Sequence, residues 1–356
     1  MQQCISNRFA QYRCISTRVR RKYSSIDLQT LVTKLLIMKK SLLFLVWFCY
    51  MNMANSQEKI PMHDPCIIQQ DSTFHIFATG KGIAHWISTD LKNWRKQSPI
   101  FDTLPWAVET INGFKNHIWA PDIAFYNNTY YLFYSISTFG KNNSCIGVAT
   151  NTTLDTKAVA YKWKDAGKII CSTPGKDNFN AIDANFITDE FGKPWLSFGS
   201  FWGGIQIVPL QENALQTKNA TQPITIAKRT RTINGNTAIE APFIYQKNGW
   251  YYLFVSADLC CKGAESTYKI MVGRSKNITG PYVDKSGTSM LDGGGSLVQQ
   301  GDGKKWFAVG HNAVAKLNGI EYLVYHGYDV ADNGKSKLVM VPLFWDEQYW
   351  PFIKSN

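Results

Sequence analysis

Ile239-Glu240-Ala241-Pro242-Phe243 leads through a turn at Lys247-Asn248-Gly249 into the aromatic run Tyr251-Tyr252-Leu253-Phe254-Val255. A small or acidic motif, an apolar stretch, a turn and an aromatic strand make one unit. The unit recurs at Asp64-Pro65-Cys66-Ile67-Ile68, Pro121-Asp122-Ile123-Ala124-Phe125 and Ile182-Asp183-Ala184-Asn185-Phe186. A degenerate copy stands at Gly294-Gly295-Ser296-Leu297-Val298. Counted from Asp64, Asp122, Asp183, Glu240 and Ser296, the steps are 58, 61, 57 and 56 residues. Helical periodicity is nearly absent from residue 60 onward, and Gly, Asn, Asp and Lys punctuate the runs, so the pattern is all-β. A near-constant step of this length matches one four-stranded blade, and five steps predict a five-bladed β-propeller.

The 356 residues are 45% hydrophobic and 18% charged, which excludes a disordered chain and provides for a large core. The net charge of +12 is unevenly placed. Residues 1–56 carry nine Lys or Arg against one acid, and residues 57–356 carry twenty-nine against twenty-five. A body at only +4 without basic runs excludes nucleic acid as a partner.

The basic excess belongs to a leader. Met38-Lys39-Lys40, an apolar run of about eleven residues and the small-residue end Ala54-Asn55-Ser56 are the parts of a signal peptide over 38–56. The competing reading is a membrane anchor, but a span needs roughly 20 apolar residues. Residues 1–37 would bury that signal, so they are read as an upstream, non-native start, and 57–356 as a single catalytic propeller, secreted or periplasmic and free of the membrane after cleavage. Nothing in the sequence demands more than a monomer. Beyond the leader stand Cys66, Cys145, Cys171, Cys260 and Cys261. An odd count without metal-ligand spacing indicates neither a disulfide framework nor a zinc site, and most are expected to be buried as small apolar residues.

The repeat also locates the chemistry. The first strand of each unit is expected to line the central channel, which brings Asp64, Asp183 and Glu240 together near the axis. Each acid alone could cap a strand start. Three in corresponding places of separate blades suit glycosidic cleavage, where one carboxyl donates a proton and another, ionised, activates water. A third can hold the acid's pKa up by like-charge repulsion.

At these residues the sequence resembles glycoside hydrolase family 43, and within it the endo-acting arabinanases. The matching segments include His63-Asp64-Pro65, Ile118-Trp119-Ala120-Pro121-Asp122, Asn180-Ala181-Ile182-Asp183, Ile239-Glu240-Ala241-Pro242-Phe243, Asp258-Leu259-Cys260-Cys261-Lys262-Gly263, Ser266-Thr267-Tyr268 and Tyr325-His326-Gly327-Tyr328. The resemblance covers roughly residues 60–345. It implies an inverting hydrolase acting on internal α-1,5-L-arabinofuranosidic bonds of arabinan or arabino-oligosaccharides, with Asp64 as general base and Glu240 as general acid. Asp183 would orient Glu240 and raise its pKa. Inversion implies carboxyls roughly 6.5–9.5 Å apart. The resemblance further places Trp119 and Phe139 as aromatic walls of the sugar subsites, Ser200 as a substrate contact, His63 beside the base, and His326 as the protein ligand of an axial calcium ion. Ala184 stands where the family usually has Pro, a small change in local stiffness.

Two other classes share much of this pattern. An exo-acting α-L-arabinofuranosidase or β-xylosidase would keep the same acids and differ in the loops closing the cleft. A propeller that binds sugar without cutting it would be expected to lose one of the three acids.

Overall fold

The computed structural model describes residues 60–218, 221–229 and 236–354. The expected signal peptide and upstream start lie outside the described residues. Among the described residues no helix is long and apolar enough to cross a membrane.

The chain forms a five-bladed β-propeller. Blade 1 contains β1 (Cys66–Gln70), β2 (Thr73–Ala78), β4 (Ala84–Ser88) and β5 (Arg95–Lys96), while β3 (Gly80–Lys81) crosses to the second sheet. After helix α1 (Pro105–Thr110), blade 2 follows as β6 (His117–Tyr126), β7 (Thr129–Ile136), β8 (Ser144–Asn151) and β9 (Lys164–Ser172). Blade 3 is β10 (Asn185–Thr188), β11 (Pro194–Phe198), β12 (Ile205–Pro209) and β13 (Ile224–Ala227). Blade 4 is β14 (Ile239–Lys247), β15 (Trp250–Ala257), β16 (Lys269–Ser275) and β17 (Ser296–Gln300). Blade 5 is β18 (Trp306–Leu317), β19 (Ile320–Asp329) and β20 (Lys335–Pro342), followed by the hairpin of β21 (Phe344–Trp345) and β22 (Pro351–Phe352). Neighbouring strands in each blade are antiparallel.

Residues 60–62 close the ring. The Met62 amide donates to the Ser336 carbonyl at 3.1 Å and the Leu338 amide to the Ile60 carbonyl at 3.0 Å, so the start of the domain lies along β20. The final blade thus gains an outer segment from residues 60–62. Its free edge is paired.

The continuous apolar runs have a direct cause. Alternate residues of a strand point to opposite faces, and both faces of a blade are covered by neighbouring blades. In β7, Tyr130, Leu132 and Tyr134 enter the core against blade 1, whereas Tyr131 and Phe133 enter the core against blade 3. In β15, Tyr251, Leu253 and Val255 pack towards blade 3, and Tyr252 and Phe254 towards blade 5. A fifth core of Ile67, Phe74, Ile76, Leu323's neighbours Tyr322 and Val324, and Leu338 joins blade 5 to blade 1. Full burial of each large side chain is worth about 1.5–3 kcal/mol, which the five cores spread around the ring.

The repeat is real, but its fifth member is displaced. Ser296 begins β17, the outer strand of blade 4, because Gly294-Gly295 followed by an apolar pair imitates the motif without occupying the axis. The inner strand of blade 5 is β18, where the corresponding residue is His311. Asp64, Ala120, Asp183, Ala241 and His311 all adopt left-handed backbone, with φ of 52°, 45°, 59°, 52° and 53°. In blades 2, 4 and 5 the pairing slips at this point, between Trp119 and Asp122, Glu240 and Phe243, and Gly310 and Ala313. These bulges re-aim side chains at the axis. A left-handed conformation at non-glycine residues is uncommon and clusters at functional sites.

Two residues beyond the bulge, a second repeated position fastens blade to blade. The Cys66 thiol meets the Ile123 amide, Asp122 accepts from the Phe186 amide at 2.7 Å, and Asn185 accepts from the Ile244 amide at 2.8 Å. Asp122 is therefore a structural staple. Burial pushes its pKa up to about 7, against the Phe186 amide and the Asn185 side chain, which favour the charge.

The cysteines depart from the sequence-based expectation. Cys145 on β8 and Cys171 on β9 are cross-strand partners and form a disulfide, and adjacent Cys260 and Cys261 form another. Spacing could not show the first pair, since strand register alone brings its members together. Only Cys66 is free among the described cysteines, and it is buried as expected.

Blade 1 contains a buried imidazole pair. His75 Nδ1 lies 3.1 Å from His85 Nε2, while the outward nitrogens, His75 Nε2 and His85 Nδ1, have no partner. His85 also stacks on Phe77 at 4.7 Å. Burial lowers the His75 pKa to about 4 and the His85 pKa to about 3, with Asp155 opposing it at His75 and the His75 charge adding to it at His85. Both folded values lie below the ordinary 6.5, so the unfolded chain binds protons that the folded chain does not. The contribution is complete above pH 6.5 and is lost as pH falls towards 4. Two such protons give a slope of up to about 2.7 kcal/mol per pH unit. Urea midpoints measured from pH 7 to 4.5 should fall steeply, and a His75→Leu/His85→Leu variant should flatten that acid branch.

Candidate active site

Asp64 sits at the left-handed residue before β1 and is 6% exposed. Its Oδ1 lies 2.7 Å from His63 Nδ1 and 3.1 Å from His311 Nδ1, and its Oδ2 accepts from Thr79 Oγ1 at 2.5 Å. Thr79 Oγ1 in turn accepts from the Ala120 amide at 2.8 Å, which ties blade 1 to the bulge of blade 2. Burial alone would raise the Asp64 pKa. The His63 and His311 rings overcome it and hold the carboxyl well below its ordinary value. Burial likewise works against a charged His63, but the Asp64 carboxylate prevails and raises that ring.

Behind this pair lies His326, fully buried on β19. Its Nδ1 accepts from the Asp64 amide at 3.1 Å, which leaves the proton of the neutral ring on Nε2, 3.3 Å from the Tyr328 hydroxyl. Burial and the neighbouring His63 charge keep His326 neutral, well below the ordinary histidine range. His63 stacks on it with ring centroids 4.0 Å apart and reaches the same Tyr328 hydroxyl at 3.2 Å. Tyr328 also accepts from the Cys261 amide at 2.8 Å, so the disulfide loop is anchored to the histidine layer. One ligand atom each from His63, Asp64 and His326 lie within 4.8 Å of one another.

Glu240 faces the axis from the bulge of β14 and is 7% exposed. Ser200 Oγ donates to its Oε2 and the Tyr268 hydroxyl to its Oε1, each at 2.8 Å. Tyr268 fits only because residue 310 is glycine, since a Cβ there would penetrate its ring. Asp183, 7% exposed, accepts from the Ala241 amide at 3.2 Å, and its own amide donates to Ser135 Oγ at 3.0 Å. It therefore grips the backbone beside Glu240. Burial raises both carboxyls, and the Glu240 and Asp64 charges push Asp183 further up. The hydrogen bonds from Ser200 and Tyr268 oppose the shift at Glu240 without cancelling it. The site thus sets one ionised carboxylate, Asp64, against a coupled pair that resists losing its proton.

The structure brings Asp64, Asp183, Glu240, His63, Ser200 and His326 together through the contacts above. Trp119 precedes left-handed Ala120, is part-exposed, and donates from Nε1 to His117 Nδ1 at 2.9 Å. Phe139 lies on the loop after β7 and is 76% exposed, so it does not serve the blade core. Thr79, Ser135, Tyr268, His311 and Tyr328 were not foreseen as site residues. Tyr268 and Tyr328 stand inside the segments that carry the family resemblance, and that was their only signal. His311 was hidden by the misplaced fifth repeat.

A propeller that gathers three buried carboxyls, one ionised and two with raised pKa values, on its axial strands is the construction of a glycoside hydrolase. The chain belongs to the glycosyl hydrolases family 43, whose model matches residues 59–351. It is 43% identical over 312 residues to an extracellular exo-α-(1→5)-L-arabinofuranosidase of Cellvibrio japonicus, covering 86% of this chain and 90% of that one. It is 42% identical over 295 residues to an extracellular endo-α-(1→5)-L-arabinanase of Bacillus subtilis, covering 82% and 87%. The solved structure of the Cellvibrio cellulosa α-L-arabinanase complexed with arabinohexaose superposes with a TM-score of 0.79 at 43% identity, over 83% of this chain and 96% of that one.

Proposed function

We propose that the protein is a secreted, monomeric endo-arabinanase that hydrolyses internal α-1,5-L-arabinofuranosidic bonds of arabinan with inversion. The observation that carries the reading is the placement of the carboxyls: Asp64 lies 2.7 Å from His63 and 3.1 Å from His311, which favour its charge, while Glu240 is buried against Ser200 and Tyr268, where burial favours its proton. Asp64 takes the proton of a water as its oxygen attacks the anomeric carbon. Glu240 gives its proton to the departing sugar oxygen, and the sugar–oxygen bond breaks. Asp183 positions Glu240 through the Ala241 amide, and burial together with the Asp64 charge disfavours ionisation of Glu240. Trp119 and Phe139 offer apolar faces to the sugar rings and Ser200 orients the acid. Secretion accords with the extracellular relatives and with the leader sequence.

Internal cleavage accords with the Bacillus subtilis relative, and the Cellvibrio japonicus relative favours a second reading, exo action with the same acids. Early products from linear α-1,5-arabinan separate them. Endo action gives a rapid fall in viscosity with a ladder of arabino-oligosaccharides, and a single short product at unchanged viscosity would replace it with the exo reading.

A calcium ion at His326 completes the proposal. The donors suit it in part: calcium prefers oxygen, and His63, Asp64 and His326 supply two imidazoles and one carboxylate, so water must fill most of the shell. Because His326 Nδ1 accepts from the Asp64 amide, Nε2 carries the ring proton, and binding an ion through Nε2 would require that proton to leave. Once bound, the ion adds positive charge that stabilises ionised Asp64. Removing metal by chelation should lower Tm and activity together, with calcium restoring both. Unchanged Tm and activity in metal-free protein would reject the ion.

A further inference from the structure

Between β15 and β16 the chain runs through Asp258-Leu259-Cys260-Cys261-Lys262, and the two adjacent sulfurs are bonded. The acid–base chemistry makes no use of this bond. Cys261 is in left-handed backbone, at φ of 65°. For a residue with a Cβ that conformation is costly, and it persists where the surroundings enforce it. The small ring closed by the disulfide includes the N–Cα bond of Cys261, so it restricts the rotation that φ measures. The loop is also tied at its base, where the Thr267 amide donates to the Leu259 carbonyl at 2.9 Å and the Leu259 amide to Thr267 Oγ1 at 3.2 Å.

That rotation aims the Cys261 amide. It donates to the Tyr328 hydroxyl at 2.8 Å, and the same hydroxyl lies 3.2 Å from His63 Nε2 and 3.3 Å from His326 Nε2. Cys261 Sγ is itself 3.8 Å from His63 Nε2. Cys260 is part-buried and packs against the cluster of Tyr268, Ala308 and Tyr328. The histidines hold Asp64, and Tyr268 holds Glu240. The two disulfides differ in access. Cys145 is 2% exposed between its neighbours in blade 2, whereas Cys261 is exposed. A thiolate attacks the sulfur it can reach, and exposed disulfides are the labile ones.

We propose that Cys260–Cys261 is a reducible clasp that positions the histidine layer behind Asp64, so that full activity requires the bond; this rests on Asp64 as the base. A dithiol reduces it in two exchanges. Its first thiolate attacks Cys261 Sγ, the S–S bond breaks, and Cys260 leaves as a thiol. Its second thiolate then displaces Cys261 and closes a cyclic disulfide. The protein gains two electrons and two protons, and the dithiol loses both. Released from the ring, Cys261 relaxes from left-handed backbone, and its amide leaves Tyr328.

Dithiothreitol in calcium-replete buffer is the probe, with alkylation and peptide mapping to show thiols at Cys260 and Cys261 and an intact Cys145–Cys171 bond. On arabinohexaose, kcat should fall by about 10–100-fold with little change in KM, and reoxidation should restore it. A bond between neighbours closes almost no loop, so Tm should barely move. Cys260→Ser/Cys261→Ser should match the reduced protein and ignore dithiothreitol. The ring resonances of His63 and His326 should shift on reduction without any substrate. In active protein, an unchanged kcat with the bond broken would overturn the clasp, and so would unmoved ring resonances. An equal loss of activity when the double-serine variant meets dithiothreitol would also overturn it. If the wild type cleaved no arabinan in either state while the ring resonances shifted, the arabinanase reading would fall and the brace on the histidines would stand.

Discussion

Glu240→Ala is expected to lower kcat on linear arabinan by about 10²–10⁴-fold while leaving the Kd for arabino-oligosaccharides within a few-fold. The side chain is held by Ser200 and Tyr268, whose hydroxyls would remain in place and could be bridged by water, so the blade should survive the change. The loss belongs to proton donation, and a substrate with a good leaving group exposes it. A dinitrophenyl arabino-oligosaccharide needs little protonation of its leaving oxygen, and the variant should recover most of its rate on it. Substantial cleavage of natural arabinan by Glu240→Ala would remove Glu240 from the acid role. The raised pKa has a matching signature: kcat/KM should persist well above the ordinary glutamic acid pKa and fall on the alkaline side as the Asp183–Glu240 pair loses its proton.

Asp64→Ala should be equally inactive on arabinan, by about 10²–10⁴-fold, but the dinitrophenyl substrate should not rescue it. What is missing is the group that activates water, and leaving-group chemistry does not replace it. This variant should also differ in stability. It leaves the raised His63 ring without the carboxylate that sustains its charge, and Thr79 without its acceptor. His63 should then titrate at lower pH, a shift that NMR of the ring protons would follow. Because His63 and His311 hold Asp64 well below its ordinary pKa, the acidic limb of the wild-type profile should lie below the usual carboxylate range, to the extent that the His75–His85 pair permits the fold to survive there.

Most of the architecture was legible because the propeller repeats its own physics. Each second strand is buried on both faces, which writes runs such as Tyr130–Ile136 and Trp250–Ala257 into the sequence, and turn residues mark their ends. The three acids were legible because they recur at or beside one position of separate repeats; burial alone would not have marked them, since Asp122 is buried inside β6 as a structural staple. What escaped depends on pairing across long sequence distances. The junction of Ile60 and Met62 with β20 needs only three residues and leaves no periodicity. The Cys145–Cys171 bond follows from the register of β8 and β9. His311 was missed because the axial position is defined by left-handed backbone and a bulge, not by residue type. Aspartate, alanine and histidine all occupy it around the ring.

The central claim is hydrolysis of arabinan by a water that Asp64 activates opposite to Glu240. The most direct measurement is proton NMR of the first products released from linear α-1,5-arabino-oligosaccharide by the wild-type protein, recorded before mutarotation. The account predicts that the β-anomer of the new reducing end appears first and relaxes towards the α form. An α-anomer appearing first would mean a covalent, retaining mechanism, and no cleavage by folded, calcium-replete protein would mean that this propeller binds its sugar without cutting it.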